Sequence, residues 1–166
     1  MTTTADATER PTGEDIPEAR FTRLRRYNLF MGVLHALQAV AVIALATAFA
    51  LPVTAAFMTG PPGSAPAEPA TLFDVSIAWG CAVFLLLSAA AHFVIASPQV
   101  FPWYRANLRL SRNYARWIEY SVSSSVMIVL IALITGISDV AALVALFGVN
   151  VSMMLFGLLQ EKYEKP

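Results

Sequence analysis

Four apolar runs constrain this chain more than anything else in it: Leu29–Leu51, Val75–Ala96, Trp117–Ile137 and Val140–Leu159. At ~1.5 Å of rise per residue, each covers roughly 30 Å, the thickness of a bilayer's hydrocarbon core. Lipid offers the backbone no hydrogen-bond partner, so each run is predicted as a helix. Composition agrees: 57% of the residues are hydrophobic and 13% charged, where a soluble domain is about half apolar and a quarter charged. The predicted fold class is an all-α integral membrane protein. Its transmembrane domain spans 20–166, with helices over about 27–51, 74–97, 104–137 and 139–161. Residues 1–19 are polar, hold two prolines and show no apolar period, so a disordered tail is expected there. The first run is too long for the apolar region of a secretory signal, about 7–15 residues, and reads as a retained helix. Cys81 stands alone in an apolar run and reads as a small packing residue.

Punctuation and charge give the topology. Pro52 follows the first helix, Asp74 suits the cap of the second, and Ser97-Pro98 suits its end. Gly136 reads as a helix stop and Asp139 as the next N-cap, which makes the last two helices a tight antiparallel hairpin. Phe101, Trp103 and Tyr104 resemble an interfacial aromatic belt. Arg105, Arg109, Arg112 and Arg116 share one face if helix 3 starts early, and read as a solvated face at the headgroups. Lys and Arg gather at the N-terminal flank, the helix 2–3 loop and the C-terminal tail, and the other two loops have none. By the positive-inside rule both termini are cytoplasmic, in a multi-pass protein of the plasma membrane. The bilayer is the expected partner. A formal net charge of zero gives no sign of nucleic acid, and no enzyme motif is present.

Three ionisable residues interrupt the apolar runs: His35, His92 and Glu119. On this topology they lie about 12, 8 and 9 Å from the cytoplasmic ends of their helices. Three separate segments thus put a titratable group at nearly one depth. Other polar residues share their faces: Asn28 and Gln38 with His35, Ser88 with His92, and Asn113, Tyr120, Ser123 and Ser124 with Glu119. Facing lipid costs such groups several kcal/mol, so they turn toward a bundle interior or a wet cavity. Taken singly, a membrane histidine, or Asn150 in the last helix, is a hydrogen-bonding packing residue. Taken together at one depth, they point to a functional polar cluster.

The stretch ARWIEYSVSSSVMIVLIALITGI, with LHALQ in the first helix and SAAAHF in the second, resembles the heliorhodopsins, retinal-binding membrane photoreceptors whose N-terminus is cytoplasmic. The resemblance covers about residues 20–165 and matches the first four helices of a seven-helix bundle. It implies that Glu119 is the counterion of a protonated retinal Schiff base. It implies that His35 and His92, with Ser88, Tyr120, Asn113, Tyr104, Asn28 and Gln38, belong to the polar, proton-accepting cluster. Met127, Asn150 and Met153 match residues that line the retinal cavity. In the family, retinal is carried by a lysine of the seventh helix. The only lysines here are Lys162 and Lys165, after the fourth run, so covalent retinal binding by this chain is not expected. A truncated or partial protein is expected instead, whether fragment, split half or degenerate relative. Its partners would be the missing helices 5–7, or a second copy in a homodimer.

The implied role is light sensing for signalling or regulation. The polar cluster occupies one half of the bundle and the other half is apolar, so no continuous proton path argues for a pump. Two other classes compete. A bis-histidine haem protein would use His35 and His92 on adjacent helices but gives Glu119 no role. A plain four-helix assembly subunit would give Glu119 a role in stability only.

Overall fold

The computed structural model describes residues 16–65 and 67–164. Helix α1 (Glu18–Ala44) leads into a β-hairpin of β1 (Ala50–Ala55) and β2 (Ala70–Ser76). Then follow α2 (Ile77–Ala96), the short α3 (Phe101–Arg109), α4 (Tyr114–Ile134) and α5 (Val140–Tyr163). Four of these helices, α1, α2, α4 and α5, are long and apolar enough to cross a membrane. Their exposed surface is largely apolar, as Phe30, Leu37, Val40, Val144, Val149 and Phe156 illustrate. In water such surface would be an aggregation hazard, whereas in a bilayer it is the ordinary solvent-facing side.

The structure differs from the sequence-based expectation in three places. The chain is not all-α: α1 stops at Ala44 and the segment expected to complete it pairs as β1, with Ala50 opposite Ser76 and Ala55 opposite Ala70. Pro52 favours the strand over a longer helix at Leu51 and beyond, since it lacks the N–H a helix needs and pushes Leu51 toward extended backbone. Asp74 consequently lies in β2 opposite Pro52, and Ser76 holds the position before α2. The helix expected over 104–137 is divided in two, with the break at Leu110–Asn113 and Ser111 at a φ of 56°. Of the expected tail, residues 1–15 lie outside the described residues, and Glu18 and Ala19 open α1.

Helix termini follow elementary chemistry elsewhere. The Asp139 side chain accepts the Ala142 N–H at 3.0 Å, and Gly136 adopts a φ of 93° at the turn before it. Asn113 caps α4 by accepting the Arg116 N–H at 3.2 Å. The hairpin is docked as well as paired. Thr54 donates its N–H to the Ser138 carbonyl at 2.8 Å, and the two hydroxyls lie 3.0 Å apart. Val53 is buried there with Ala132, Leu133 and Leu143.

Small residues let the helices approach. Gly32, Ala39, Ala82, Ala89 and Ala96 are buried in α1 and α2. A Cβ on Gly32 would come within 2.9 Å of the Phe93 ring, and one on Gly157 within 2.5 Å of Trp117. The main packing runs α1 on α2, α2 on α4 and α4 on α5. That sequence is an arc, in which α1 and α5 are not substantially packed on each other.

Candidate functional site

The arc carries its polar groups at the seams between helices. Between α2 and α4, the Ser88 hydroxyl donates to a Glu119 carboxylate oxygen at 2.7 Å. Glu119 stands only five residues into α4, because the helix restarts at Tyr114 after its break. Four residues along α2, His92 places Nδ1 2.8 Å from the Asn28 side-chain oxygen of α1. The Asn28 amide nitrogen donates to the Leu24 carbonyl at 2.9 Å, which fixes its oxygen as the acceptor. His92 therefore donates through Nδ1, and Nε2 is its remaining acceptor in the neutral form. His35 lies within hydrogen-bond distance of the Gln38 side-chain oxygen, at 3.0 Å from Nδ1. The two imidazoles stack, with centroids 5.5 Å apart and planes 16° from parallel. Both imidazoles are only partly buried, and each ring finds a hydrogen-bond partner on α1.

The predicted residues thus divide into groups. Glu119 with Ser88, and His35 with His92, Asn28 and Gln38, meet at the two seams of α2. Tyr104 and Asn113 stand apart from them, with no direct hydrogen bond to the cluster among the described residues. Tyr104 is buried with Phe21 and Phe101. Burial pushes its hydroxyl above the usual tyrosine range, while Asn113 and Arg116 pull it back. Tyr120 is exposed, and its carbonyl accepts from Ser124. Asn150 donates from α5 to Ser124 at 2.7 Å and Ser125 at 3.0 Å, and Ser125 is fully buried. Met127 and Met153 are exposed on α4 and α5.

One carboxylate escaped sequence reasoning. Glu161, near the end of α5, accepts the Trp117 indole N–H at 2.8 Å and the Asn113 backbone N–H at 2.9 Å. Arg116 lies 3.8 Å away, and its guanidinium covers the Trp117 ring. Glu161 thereby ties the start of α4 to the end of α5. A charged residue just past an apolar run, one turn beyond a glycine, was the available signal. The stripe of four arginines is also not one face. Arg105 and Arg109 both reach Glu18 of α1 and lie over the Phe21 ring. Arg112 donates to the Lys162 carbonyl at 3.2 Å.

Four membrane-length helices with imidazoles and a carboxylate held at their seams define a multi-pass membrane protein built around an intramembrane polar cluster. The heliorhodopsin family model matches residues 24–166, and the chain belongs to that family. No curated protein matches the chain. Full-length heliorhodopsins hold retinal, and the residues here fit that group in part. A carboxylate with a hydroxyl donor suits a buried cation, but the one lysine in the four spanning helices, Lys162, is exposed in the last turn of α5, away from Glu119, and does not suit the covalent link.

Proposed function

We propose that this chain is the N-terminal four-helix part of a light-sensing heliorhodopsin, with Glu119 as the counterion of a protonated retinal Schiff base whose lysine lies outside residues 1–166. When bound, retinal supplies the chromophore and the buried cation. This chain's residues supply the electrostatics. The single observation that carries the reading is the Ser88–Glu119 hydrogen bond at 2.7 Å, which holds a carboxylate at the α2–α4 seam within the membrane. A neighbouring cation keeps such a carboxylate ionised, and the carboxylate in turn stabilises the cation. His35 and His92, each anchored through Nδ1, offer Nε2 as proton acceptors beside it. Tyr104, Asn113 and Tyr120 take part only indirectly on this reading, and Met127, Asn150 and Met153 face the cavity once further helices close the arc. The N-terminus is cytoplasmic, in the plasma membrane, and the role is signalling or regulation. Asn150 and its serines lie midway along the α4–α5 seam, and among the described residues no hydrogen-bonded polar chain continues from them across the apolar half, which favours sensing over pumping.

The haem alternative loses support from geometry. Two axial histidines aim nitrogens at an iron between them, whereas these rings stack face to face.

The test is reconstitution. The purified chain is incubated with all-trans retinal alone, and with a polypeptide supplying three further helices and a lysine in the last. A visible band resistant to extraction is expected only in the second case, and Glu119→Gln should shift it. A retinal band from the chain alone, or no shift in the variant, overturns the proposal.

A further inference from the structure

Ten of the eleven Lys and Arg residues follow residue 19, and the described ones gather where α1, α3 and α4 begin and α2 and α5 end. Most have internal work. Arg25 donates to the Ala96 carbonyl at 2.8 Å and lies over Phe101. Arg105, Arg109, Arg112 and Arg116 are held by Glu18, the Lys162 carbonyl and Glu161. Lys162 is exposed at the end of α5 and lies over the neighbouring Tyr163 ring. The remaining three are Arg20, Arg23 and Arg26. All three are exposed, and they form no ion pair with any described acid.

Helical geometry sets them apart from Arg25. At ~100° per residue, Arg20, Arg23 and Arg26 fall within a sector of about 120° on α1, and Arg25 points the other way, into the α2 seam. The same sector continues down the helix as Tyr27, Phe30, Val33 and Leu37, which are 58%, 63%, 49% and 62% exposed. One face of α1 therefore reads, from its end inward, as three guanidiniums, one phenol and a ladder of apolar side chains. That order matches a phospholipid: phosphate, interfacial region, acyl chain.

We propose that this outer face of α1 binds an anionic phospholipid, with Arg20, Arg23 and Arg26 on the headgroup phosphate and Tyr27, Phe30 and Leu37 against an acyl chain. Guanidinium suits the task, since its fork of N–H donors matches phosphate oxygens in pairs. Arg105, Arg109, Arg112 and Arg116, the more obvious stripe in the sequence, are not the lipid site because Glu18, Glu161 and a carbonyl already hold them. The proposal is independent of retinal.

The full chain, in neutral detergent, is titrated with dioleoyl phosphatidylglycerol or dioleoyl phosphatidylcholine, and retained lipid is counted by native mass spectrometry. Each basic residue near an anionic surface contributes about a fivefold gain, so three give roughly a hundredfold preference for phosphatidylglycerol. Replacing Arg20, Arg23 and Arg26 together by Gln should remove most of that preference, and the triple Lys variant should retain most of it. Arg112→Gln should leave it intact. Equal retention of the two lipids, or an undiminished preference in the triple Gln variant, overturns the proposal. So does loss of the preference in Arg112→Gln with the triple Gln variant unaffected. Because these side chains are exposed and unpaired within the described fold, the variants should unfold at the parent temperature, and that measurement separates lost binding from lost structure.

Discussion

Glu161 does more at the residue scale than its place past an apolar run suggests. Two N–H donors, from Trp117 and Asn113, share its carboxylate. Replacing it by Ala strands both donors in a partly buried seam, which costs about 1–3 kcal/mol for an unsatisfied group. Glu161→Ala should therefore lower the thermal unfolding midpoint in detergent, and an unchanged midpoint would show the contact to be ornamental. Gly157→Ala tests the same seam from below, since the new Cβ meets the indole ring at 2.5 Å. Overpacking there should cost roughly 1–3 kcal/mol. Tyr104 gives a pH signature. Its folded pKa lies above the ordinary 10.0 because burial disfavours phenolate. The associated stability is complete below about pH 10 and is lost as pH rises through the higher folded value. Tyr104→Phe should remove that alkaline loss, read as the midpoint between pH 9 and 12. Glu119 and the two histidines were legible in the sequence because a polar residue stands out in an apolar run. Glu161 was not, because its partners lie 44 and 48 residues earlier and nothing local announces the pairing.

Among the elements, the break between α3 and α4 decides where Glu119 sits. Had the two formed one helix from 104 onward, the four arginines would share a face. With the break, Asn107 accepts the N–H of Leu110 and of Arg112, and Asn113 starts a new helix. Ser111 takes the left-handed conformation at φ 56°, which costs a non-glycine residue about 1–2 kcal/mol. Ser111→Gly should relieve part of that and raise the unfolding midpoint slightly, whereas Ser111→Pro, incompatible with positive φ, should lower it. The sequence hid this break because ANLRLSRN contains neither Gly nor Pro. The β-hairpin was hidden differently. The apolar run reaches the first two residues of its first strand, Ala50 and Leu51, so length assigned them to the helix, and Pro52–Ala55 read as loop. Pro52 and the β-branched Val53 and Thr54 were the contrary signals.

Charge separates the two ends of the whole molecule. Arginines and Lys162 cluster at one end, and the hairpin end carries Glu68, Asp74 and Asp139 with no described cation. A bilayer with an anionic inner leaflet and a positive-inside bias turns that asymmetry into an orientation, since each misplaced arginine would have to be translocated. On the proposed orientation the hairpin lies outside the cell; its irregular loop and docked strands belong outside the hydrocarbon on either side. Cysteine labelling reads the orientation directly. In a chain carrying Cys81→Ala, a single cysteine is placed at the exposed positions Ala65→Cys, beyond β1, or Ala19→Cys, at the start of α1. A membrane-impermeant maleimide should label the first on intact cells and the second only after lysis. Labelling in the opposite order would invert the molecule and put Glu119 and both imidazoles in the outer half of the bilayer. The proposed cytoplasmic sensing role would fall with that result, while the contacts among these residues would stand.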